Sequence, residues 1–177
     1  MALAIRTSTA DDARAIATIR VETWRAAYDG LLAPEVLARL DVERETVVRA
    51  ARWNGFHADP RRHELVAEQD GAVVGWAAGG PGREDDLPGA GELYAIYALP
   101  RVWSTGVGHA LLHESEARLV AAGYADAFLW CLDGNARAAA FYEAHGWRED
   151  GRTKREARLA GRGPAPRERR RIRRLSP

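Results

Sequence analysis

Cysteine is nearly absent from this chain, whose 177 residues include only Cys131. A single cysteine excludes an intrachain disulfide and any metal site built from several thiolates, and it fits a reducing compartment. Because Cys131 lies in an apolar run, we interpret it as a small buried residue, with a nucleophilic role as the alternative. Long hydrophobic runs are also missing, since no stretch approaches the roughly 18 apolar residues that would predict a membrane span. The N-terminus lacks a basic segment followed by an apolar one, so we expect a cytoplasmic location.

Charge is balanced overall but not along the chain. With 46% hydrophobic residues, the sequence predicts one domain over residues 1–177 with a sizeable core. Residues 152–177 hold 11 of the 26 basic residues and 2 of the 25 acidic ones, which gives this C-terminal segment a charge of +9 and the rest of the chain −8. An acidic body suits a cationic amine, whereas a basic segment suits phosphates, nucleic acid or an acidic partner. The alternative for the segment is a solvated edge strand with a flexible linker.

The most informative stretch spans residues 92–108. Apolar and aromatic residues at 93–99 predict a buried strand, which Pro100 ends, and a polar turn then leads through Gly106 and Gly108 into a predicted helix. The first N–H groups of a helix lack partners within it and lie at the positive end of its dipole, so an anion can bind there. Two glycines that are two residues apart let a diphosphate approach the main chain without a Cβ in the way. Glycines that serve only the geometry of the turn are the alternative.

This strand and loop, with an Asn and a Tyr further on, resemble the motifs of the GNAT superfamily of N-acetyltransferases over about residues 3–147. The residues that carry the resemblance are Tyr97-Ala98-Leu99-Pro100, Trp103-Ser104-Thr105-Gly106-Val107-Gly108, Asn135 and Phe141-Tyr142. The resemblance implies an α/β fold with a GNAT-like mixed sheet of antiparallel and parallel strands. The central strands of that sheet would splay apart, and about four helices would flank it.

The resemblance also implies acetyl-CoA as the acetyl donor, with its pyrophosphate in the glycine loop and its thioester beside the later helix. The residues expected to contact acetyl-CoA are Tyr97, Ala98, Leu99, Trp103, Ser104, Thr105, Gly106, Val107, Gly108, His109, Asn135, Ala138 and Phe141. Two of them depart from the commonest family loop, because Trp103 stands where Gln or Arg is usual and Ser104 where Gly is frequent. Main-chain N–H groups do most of the phosphate binding in the family, so we expect the departures to affect affinity and loop shape.

Acetyl transfer to an amine requires that the amine lose a proton, that the carbonyl oxygen be polarised and that the leaving thiolate be protonated. Tyr142 matches the family tyrosine and is the expected acid, since a phenol with an ordinary pKa of about 10 stays protonated at pH 7. A packed phenol with one satisfied hydrogen bond is the alternative. Glu92 is the expected base, because its apolar neighbours would partly desolvate it, and a salt-bridged glutamate at the strand end is the alternative.

The remaining parts of the expected site also follow from the resemblance. A main-chain N–H of the central strand, near residues 97–99, would hold the oxyanion, and the slot between splayed strands would take the pantetheine arm. Trp24 and Tyr28, four residues apart, would wall the acceptor site, although such an aromatic stripe also suits a core. His109 would be at most a contact on the phosphate side. The other histidines lack the spacing of metal ligands, so we expect no metal.

Local signals predict the order of the elements. Asp70-Gly71 predicts a hairpin turn between strands, and an acidic loop at 79–91 suggests a lid over an amine site or a merely solvated loop. Pro34 predicts the start of one helix with Val47 and Val48 on its apolar face. The signals Asn54-Gly55 and Asp59-Pro60 mark its end. The other predicted strands are 3–7, 63–69, 72–78, 127–132, 147–151 and 167–175, and the other predicted helices follow Thr9, Gly106 and Asn135.

Three hypotheses for function follow from these observations. The first is an acetyl-CoA-dependent N-acetyltransferase that acts on a small amine or a protein amino group. The second is a non-catalytic acyl-CoA sensor or binding module, which the departures at Trp103 and Ser104 suggest. The third is an acetyltransferase whose acceptor is attached to nucleic acid, although we expect residues 167–175 to pair as an edge or interface strand and not to bind nucleic acid. We expect no membrane partner, and we also consider a homodimer.

Overall fold

The computed structural model describes residues 2–176, which form seven strands and five α-helices. The strands are β1 (Leu3–Thr7), β2 (His63–Gln69), β3 (Ala72–Pro81), β4 (Gly91–Ala98), β5 (Asp126–Leu132), β6 (Arg148–Arg155) and β7 (Arg167–Arg174). The helices are α1 (Ala13–Ala27), α2 (Pro34–Ala38), α3 (Val42–His57), α4 (Val107–Ala121) and α5 (Ala136–Ala144). No helix in residues 2–176 is long and apolar enough to cross a membrane.

All seven strands belong to one mixed sheet in the order β1-β2-β3-β4-β5-β7-β6. Neighbouring strands are antiparallel except β4 and β5, which run parallel. Asp70 and Gly71 both adopt positive φ angles, 51° and 81°, in the turn between β2 and β3, as the hairpin signal predicts. The predicted α/β fold with a mixed sheet is therefore confirmed, with five helices in place of about four.

Helices cover both faces of the sheet. Successive residues of a strand point to opposite sides, so Gly75 and Trp76 of β3 show which helix lies on each face. A Cβ on Gly75 would lie 2.8 Å from Leu111 of α4, so α4 packs closely on that face. The next residue, Trp76, faces the other way and lies 4.1 Å below the guanidinium carbon of Arg49 in α3. Phe141 of α5 packs against the first turn of α4. Thus α4 and α5 share one face, and α1 and α3 lie over the other.

The two central strands separate soon after they begin. Strands β4 and β5 pair only at Gly91 with Ala127 and at Glu92 with Phe128, although both continue for several residues. Beyond those two pairs the strands diverge and leave a gap that opens toward the C-terminal end of β4. The splayed centre predicted from the family resemblance is therefore present.

The segment after Pro34 differs from the single helix predicted there. It forms two helices, because Asp41 adopts an extended conformation and its side chain accepts a hydrogen bond from the Arg44 N–H, which caps the start of α3. Helix α3 then continues through Asn54-Gly55 to His57. Val47 is 68% exposed and Val48 is also exposed, so the predicted apolar face is wrong there.

The arginine-rich strand of the basic C-terminal segment lies inside the sheet, although residues 152–155 of the same segment belong to the edge strand β6. Strand β7 lies between β5 and β6, which corrects the prediction of an edge strand at 167–175. Antiparallel pairing with β5 extends from Arg174, opposite Asp126, to Glu168, opposite Leu132. Arg170 is only 4% exposed and its guanidinium binds both Asp86 and Asp150. The arginines of β7 are thus neutralised by the acidic body of the chain.

Candidate active site

The loop before α4 presents a set of main-chain N–H groups that have no acceptor. Within residues 2–176, no hydrogen bond is made by the amides of residues 104–109, and the first amide of the helix that is bonded is that of Ala110, to Gly106 O. No side chain among the described residues caps the helix, and no acidic residue lies in its first turn. These amides and the positive end of the helix dipole therefore form an anion-binding surface that nothing in this part of the chain occupies.

Two residues of this loop adopt left-handed backbone conformations. Gly106, the residue before α4, has φ 94°, and Ser104 has φ 62°. Glycine adopts such angles without strain, whereas a residue with a Cβ does so at a cost of about 1–2 kcal/mol. Ser104 therefore keeps the shape that a glycine would give the loop, at some cost in conformational energy.

The side chain of Trp103 ties the loop to the end of β4. Its Nε1 donates to Ala98 O over 2.7 Å, and Thr23 Oγ1 of α1 donates to the same carbonyl over 2.9 Å. The guanidinium carbon of Arg137, from α5, lies 3.4 Å from the centroid of the Trp103 ring. Burial lowers the pKa of Arg137 from its ordinary value. Thr105 Oγ1 donates to Val102 O over 2.8 Å, so the loop is braced on both sides.

The open edge of β4 carries the groups expected to meet the pantetheine arm. The N–H of Leu99 bonds to Val74 O in β3, and hydrogen bonding alternates along an antiparallel strand. The main-chain groups of Ile96 and the N–H of Ala98 therefore face the gap between β4 and β5. The side chain of Tyr97 lies on the face of the sheet covered by α1, where its ring stacks on Trp76 at 5.7 Å.

Helix α5 places the predicted Asn and Tyr beside that gap. Asn135 Oδ1 accepts a hydrogen bond from the Ala138 N–H and so caps the helix. A Cβ on Gly108 would lie 3.5 Å from the Phe141 ring, so α5 packs against the first turn of α4. Tyr142 is buried, and burial raises its pKa well above the ordinary value, with the Cys131 thiol and the Tyr97 phenol adding to the shift. A phenol in this state remains protonated across the physiological pH range.

His109 contacts a histidine of α5, and Cys131 is buried. His145 Nδ1 donates to Phe141 O over 2.7 Å, which leaves its Nε2 to accept from His109 Nδ1 at 2.9 Å in the neutral pair. His109 therefore belongs to a contact between α4 and α5, close to the free amides. Burial raises the pKa of the Cys131 thiol to about 11, so the thiol is protonated at neutral pH and a packing role is favoured.

A cleft of about 1020 Å³ opens on the face of the sheet covered by α1 and α3. The predicted acceptor residues Trp24 and Tyr28 line it, and their rings meet edge to face at 5.1 Å. Tyr97 also lines the cleft, with its ring 6.4 Å from that of Trp24, so the cleft reaches the strand that borders the gap. A second cavity of about 150 Å³ lies between α5, β6 and β7 and includes none of the predicted catalytic residues.

Glu92 lines the same cleft, but Arg83 binds both oxygens of its carboxylate. Both of its carboxylate oxygens bind the Arg83 guanidinium, at 2.9 Å and 2.7 Å, and one also accepts the Arg83 N–H at 3.2 Å. The Glu92 side chain is 3% exposed, whereas that of Arg83 is 65% exposed. The structure therefore contains the salt bridge that we considered as the alternative for Glu92. Any proton transfer to Glu92 requires that Arg83 release it.

Sequence reasoning missed a second carboxylate, Glu168. This residue of β7 lies opposite Leu132 at the end of β5, lines the cleft and is 18% exposed. The one cation within 4 Å of it in the described chain is Lys154, at 3.9 Å, and Lys154 lies closer to Glu84, at 3.3 Å. Burial raises the pKa of Glu168. Its position as one of two acids in the basic segment was the signal available in the sequence.

The acidic loop before β4 does not form the suggested lid. Glu84 accepts from Trp130 Nε1 and pairs with Lys154, and Asp86 pairs with Arg152 and Arg170. None of the loop's acids lines the cleft. In the described part of the chain, no group of three or more His, Cys, Asp or Glu residues is arranged to hold a metal ion.

Comparison with known proteins agrees with this geometry. Residues 17–147 match the family model of the GNAT acetyltransferases. The chain belongs to the GNAT family of acetyltransferases. It is 31% identical over 140 residues to the uncharacterized N-acetyltransferase Rv2669 of Mycobacterium tuberculosis, covering 79% of this chain and 85% of that protein. It is 29% identical over 142 residues to the uncharacterized N-acetyltransferase YuaI of Bacillus subtilis, covering 80% and 78%.

Solved GNAT structures share the fold. A phosphinothricin acetyltransferase from Sinorhizobium meliloti in complex with acetyl-CoA gives a TM-score of 0.77 at 22% identity, over 99% of this chain and 90% of that one. The PaiA N-acetyltransferase from Thermoplasma acidophilum in complex with coenzyme A gives 0.74 at 17% identity, over 98% and 99%. The acetyltransferase prediction is therefore confirmed, and the ligands of both structures agree with acetyl-CoA as the predicted donor.

Proposed function

We propose that this GNAT enzyme transfers the acetyl group of acetyl-CoA to a primary amine of a small molecule or protein, by direct attack in a ternary complex. The observation that carries the proposal is the gap between β4 and β5. One end of this gap meets the free amides at the start of α4, and its other side borders the cleft at Tyr97. A cofactor in the gap and an acceptor in the cleft would meet at the sheet.

The residues of the gap fit acetyl-CoA. The amides of residues 104–109 would hold the pyrophosphate, and the main-chain groups of Ile96 and the N–H of Ala98 would pair with the amides of the pantetheine arm. When bound there, acetyl-CoA supplies an activated acyl group on a thiol leaving group. Arg137, stacked on Trp103, would add a cation near the loop that lacks the usual Gln or Arg.

Proton transfer would use side chains on both sides of the gap. Tyr142, held protonated by burial, would donate its phenolic proton to the leaving sulfur. The amine would lose its proton to Glu168, or to Glu92 once Arg83 has released it. An N–H on β4 would bind the developing oxyanion. The acceptor, the cytoplasmic location and the homodimer stay predictions.

The two alternatives make different predictions. A non-catalytic acyl-CoA module would bind acetyl-CoA and release no CoA in the presence of amines, and it would have no need of a large cleft that reaches β4 at Tyr97. An acceptor attached to nucleic acid would need free cations on the basic segment, but ion pairs engage most arginines of β7.

Thermal denaturation tests cofactor binding before any acceptor is known. A ligand at about 100 times its dissociation constant stabilises the fold by about 2.7 kcal/mol, so acetyl-CoA should raise the melting temperature in proportion to the logarithm of its concentration. A Gly106→Glu variant, which places a bulky anion among the free amides, should lose this response. An identical melting temperature with and without saturating acetyl-CoA would refute the assignment of the gap.

A further inference from the structure

The walls of the cleft have a surplus of positive charge, which is the opposite of what the acidic body suggests. Nine of the residues that line it are Arg or Lys and five are Glu. Each of the five carboxylates has a cation within 4 Å that also lines the cleft. The four remaining arginines have no carboxylate within 4 Å anywhere in residues 2–176, namely Arg39, Arg44, Arg52 and Arg62.

One of the paired cations, Arg49, is held rigidly and has hydrogen-bonding capacity to spare. Its guanidinium stacks on Trp76, with 4.1 Å from the central carbon to the ring centroid, and its Nη1 donates to Glu64 Oε1 over 3.0 Å. The side chains of Arg49 and Glu64 are 18% and 8% exposed. The Nε of Arg49 is buried, and neither Nε nor Nη2 finds an acceptor in the described residues.

That unused edge has the geometry of a carboxylate site. The Nε–H and a terminal N–H of a guanidinium lie parallel and can bind the two oxygens of a carboxylate together. Glu64 does not use this edge, because it binds through Nη1 and also accepts from Trp76 Nε1 at 2.9 Å and from Ser8 Oγ at 3.1 Å. Burial also lowers the pKa of Arg49, as expected for a buried cation that is not fully compensated.

Arg49 lies close enough to the gap between β4 and β5 for one small acceptor to reach both. Arg49 stacks on Trp76, and Trp76 stacks on Tyr97 with 5.7 Å between ring centroids, so two ring spacings separate the guanidinium from the strand beside the gap. Nearer to the gap, Trp24 Nε1 is a second buried donor without a partner in the described chain. Both groups are N–H donors on the wall of one cleft, and ligand oxygen atoms would satisfy both. A third buried atom without a partner on this wall, His57 Nε2, lies 3.9 Å from Glu64.

We propose that the acceptor is an amine that also bears a carboxylate or a comparable oxyanion, which the unpaired Nε–H and Nη2–H of Arg49 bind. This inference rests on the acetyltransferase function proposed above. The amine would lie beside Tyr97 and the oxyanion over Trp76. The surplus arginines at the rim would draw such acceptors toward the cleft.

The test compares acceptors that differ in one charge. Rates of CoA release are measured for α-amino and ω-amino acids of increasing chain length, each beside its primary amide, with wild-type, Arg49→Lys, Arg49→Gln and Arg14→Gln proteins. Arg14 is the control because its side chain is exposed, pairs with Glu43 and does not line the cleft. The wild type should prefer the best acid over its amide by about 10–100-fold in kcat/KM, as expected for a hydrogen-bonded ion pair.

Arg49→Gln should reduce that preference to about threefold or less, Arg49→Lys should retain only part of it, and Arg14→Gln should leave it unchanged. Since Arg49→Gln leaves Glu64 buried without its cation, the double variant Arg49→Gln/Glu64→Gln, which removes both charges, is measured as well. Equal turnover of acids and amides by the wild type would overturn the inference while the acetyltransferase function stands. So would an equal loss on both acceptor classes in the double variant. If neither the acids nor the amides release CoA, the inference fails, and the broad amine panel then decides whether the proposed function stands.

Discussion

At the scale of single residues, burial favours the neutral form of three ionisable side chains. Tyr142 is kept as a phenol, Cys131 is kept as a thiol with a pKa of about 11, and Glu168 is shifted toward its neutral acid. Each shift has desolvation as its largest cause. Tyr142 packs with Ile96 of β4 and Cys131 of β5, and Glu168 lines the adjoining cleft, so the two shifted groups that the proposed transfer uses lie near the gap.

The phenol of Tyr142 is the first residue to test. Tyr142→Phe keeps the ring packed but removes the proton for the leaving sulfur, so turnover should fall by roughly 10²–10⁴ while acetyl-CoA affinity changes little. Steady-state kinetics and thermal shift with acetyl-CoA measure the two quantities separately. Near wild-type turnover would mean that Tyr142 only packs against its neighbours.

The pH profile distinguishes the two carboxylates. If Glu168 accepts the amine's proton, Glu168→Gln should remove the acidic limb of the rate profile and Glu92→Gln should leave it in place. If Glu92 does so after release by Arg83, the two results are exchanged. The charged groups that face Glu168 are Lys154 of β6, Glu92 of β4, and Glu156 and Arg158 of the turn after β6, so the profile should be recorded at constant ionic strength.

Stability gives an independent reading of Glu168. Because folding raises its pKa, the neutral acid is favoured in the folded state, and this stabilisation is complete below the ordinary value of 4.5 and is lost as pH rises through the folded value. Glu168→Gln stays neutral, so its melting temperature should exceed that of the wild type at pH 8, with little difference below pH 4.5. A variant that is less stable at pH 8 would show that Glu168 is a structural anion.

At the scale of elements, the loop and first turn of α4 show which parts of the site the sequence could predict. The apolar run before Pro100 and the glycines Gly106 and Gly108 predict a strand, a turn and a helix, and the structure has all three. The sequence could not show that Arg137 would stack on Trp103, because α5 is distant in the chain and its approach is set by packing of Phe141 against Gly108. The spacing of apolar residues predicts one continuous helix after Pro34. It does not show the break at Asp41, where the aspartate side chain caps the start of a second helix.

The two glycines of the loop should respond differently to alanine. Gly106 has φ 94°, and a Cβ at this position would have no atom within 4 Å, so Gly106→Ala is strained by its backbone angle alone and should cost about 1–2 kcal/mol of stability. Gly108 is helical and its Cβ would make an ordinary 3.5 Å contact with Phe141, so Gly108→Ala should keep or raise stability.

Acetyl-CoA binding separates the two effects. If the pyrophosphate lies against this turn, Gly108→Glu should weaken acetyl-CoA binding by at least about tenfold, because a bulky anion blocks close approach, whereas Gly108→Ala should change the affinity little. Calorimetric titration alongside thermal denaturation would show it. Unchanged affinity in Gly108→Glu would place the phosphates elsewhere.

At the scale of the whole molecule, the uneven distribution of charge along the chain is resolved by folding. The basic segment becomes β7 and pairs with acids from several distant elements, such as Asp133 with Arg169, and Glu116 with Arg173. Composition predicted two oppositely charged parts but could not show that they neutralise each other or that the cleft keeps a positive surplus. Those outcomes depend on long-range pairing in the sheet.

Substitution of single acids tests whether this network supports the fold. Asp150 binds the buried Arg170 through contacts of 2.7 and 2.8 Å, so Asp150→Asn should cost about 1–3 kcal/mol by leaving that cation undercompensated. Asp126 pairs with the exposed Arg174 at 3.6 Å, so Asp126→Asn should change stability by less than about 0.5 kcal/mol. Urea denaturation of both variants measures the difference. Equal effects would mean that the basic segment is only loosely attached.

Acetyl transfer itself is the most direct measurement. The protein is incubated with acetyl-CoA labelled in its acetyl group and with a panel of amines, and mass spectrometry follows free CoA and the labelled N-acetyl product together. The structure predicts that both appear in equal amounts for at least one amine and that Tyr142→Phe slows both alike. Protection of the fold by acetyl-CoA, with no label on any amine and no CoA released above the rate of hydrolysis, would contradict the assignment and identify an acyl-CoA-binding module instead.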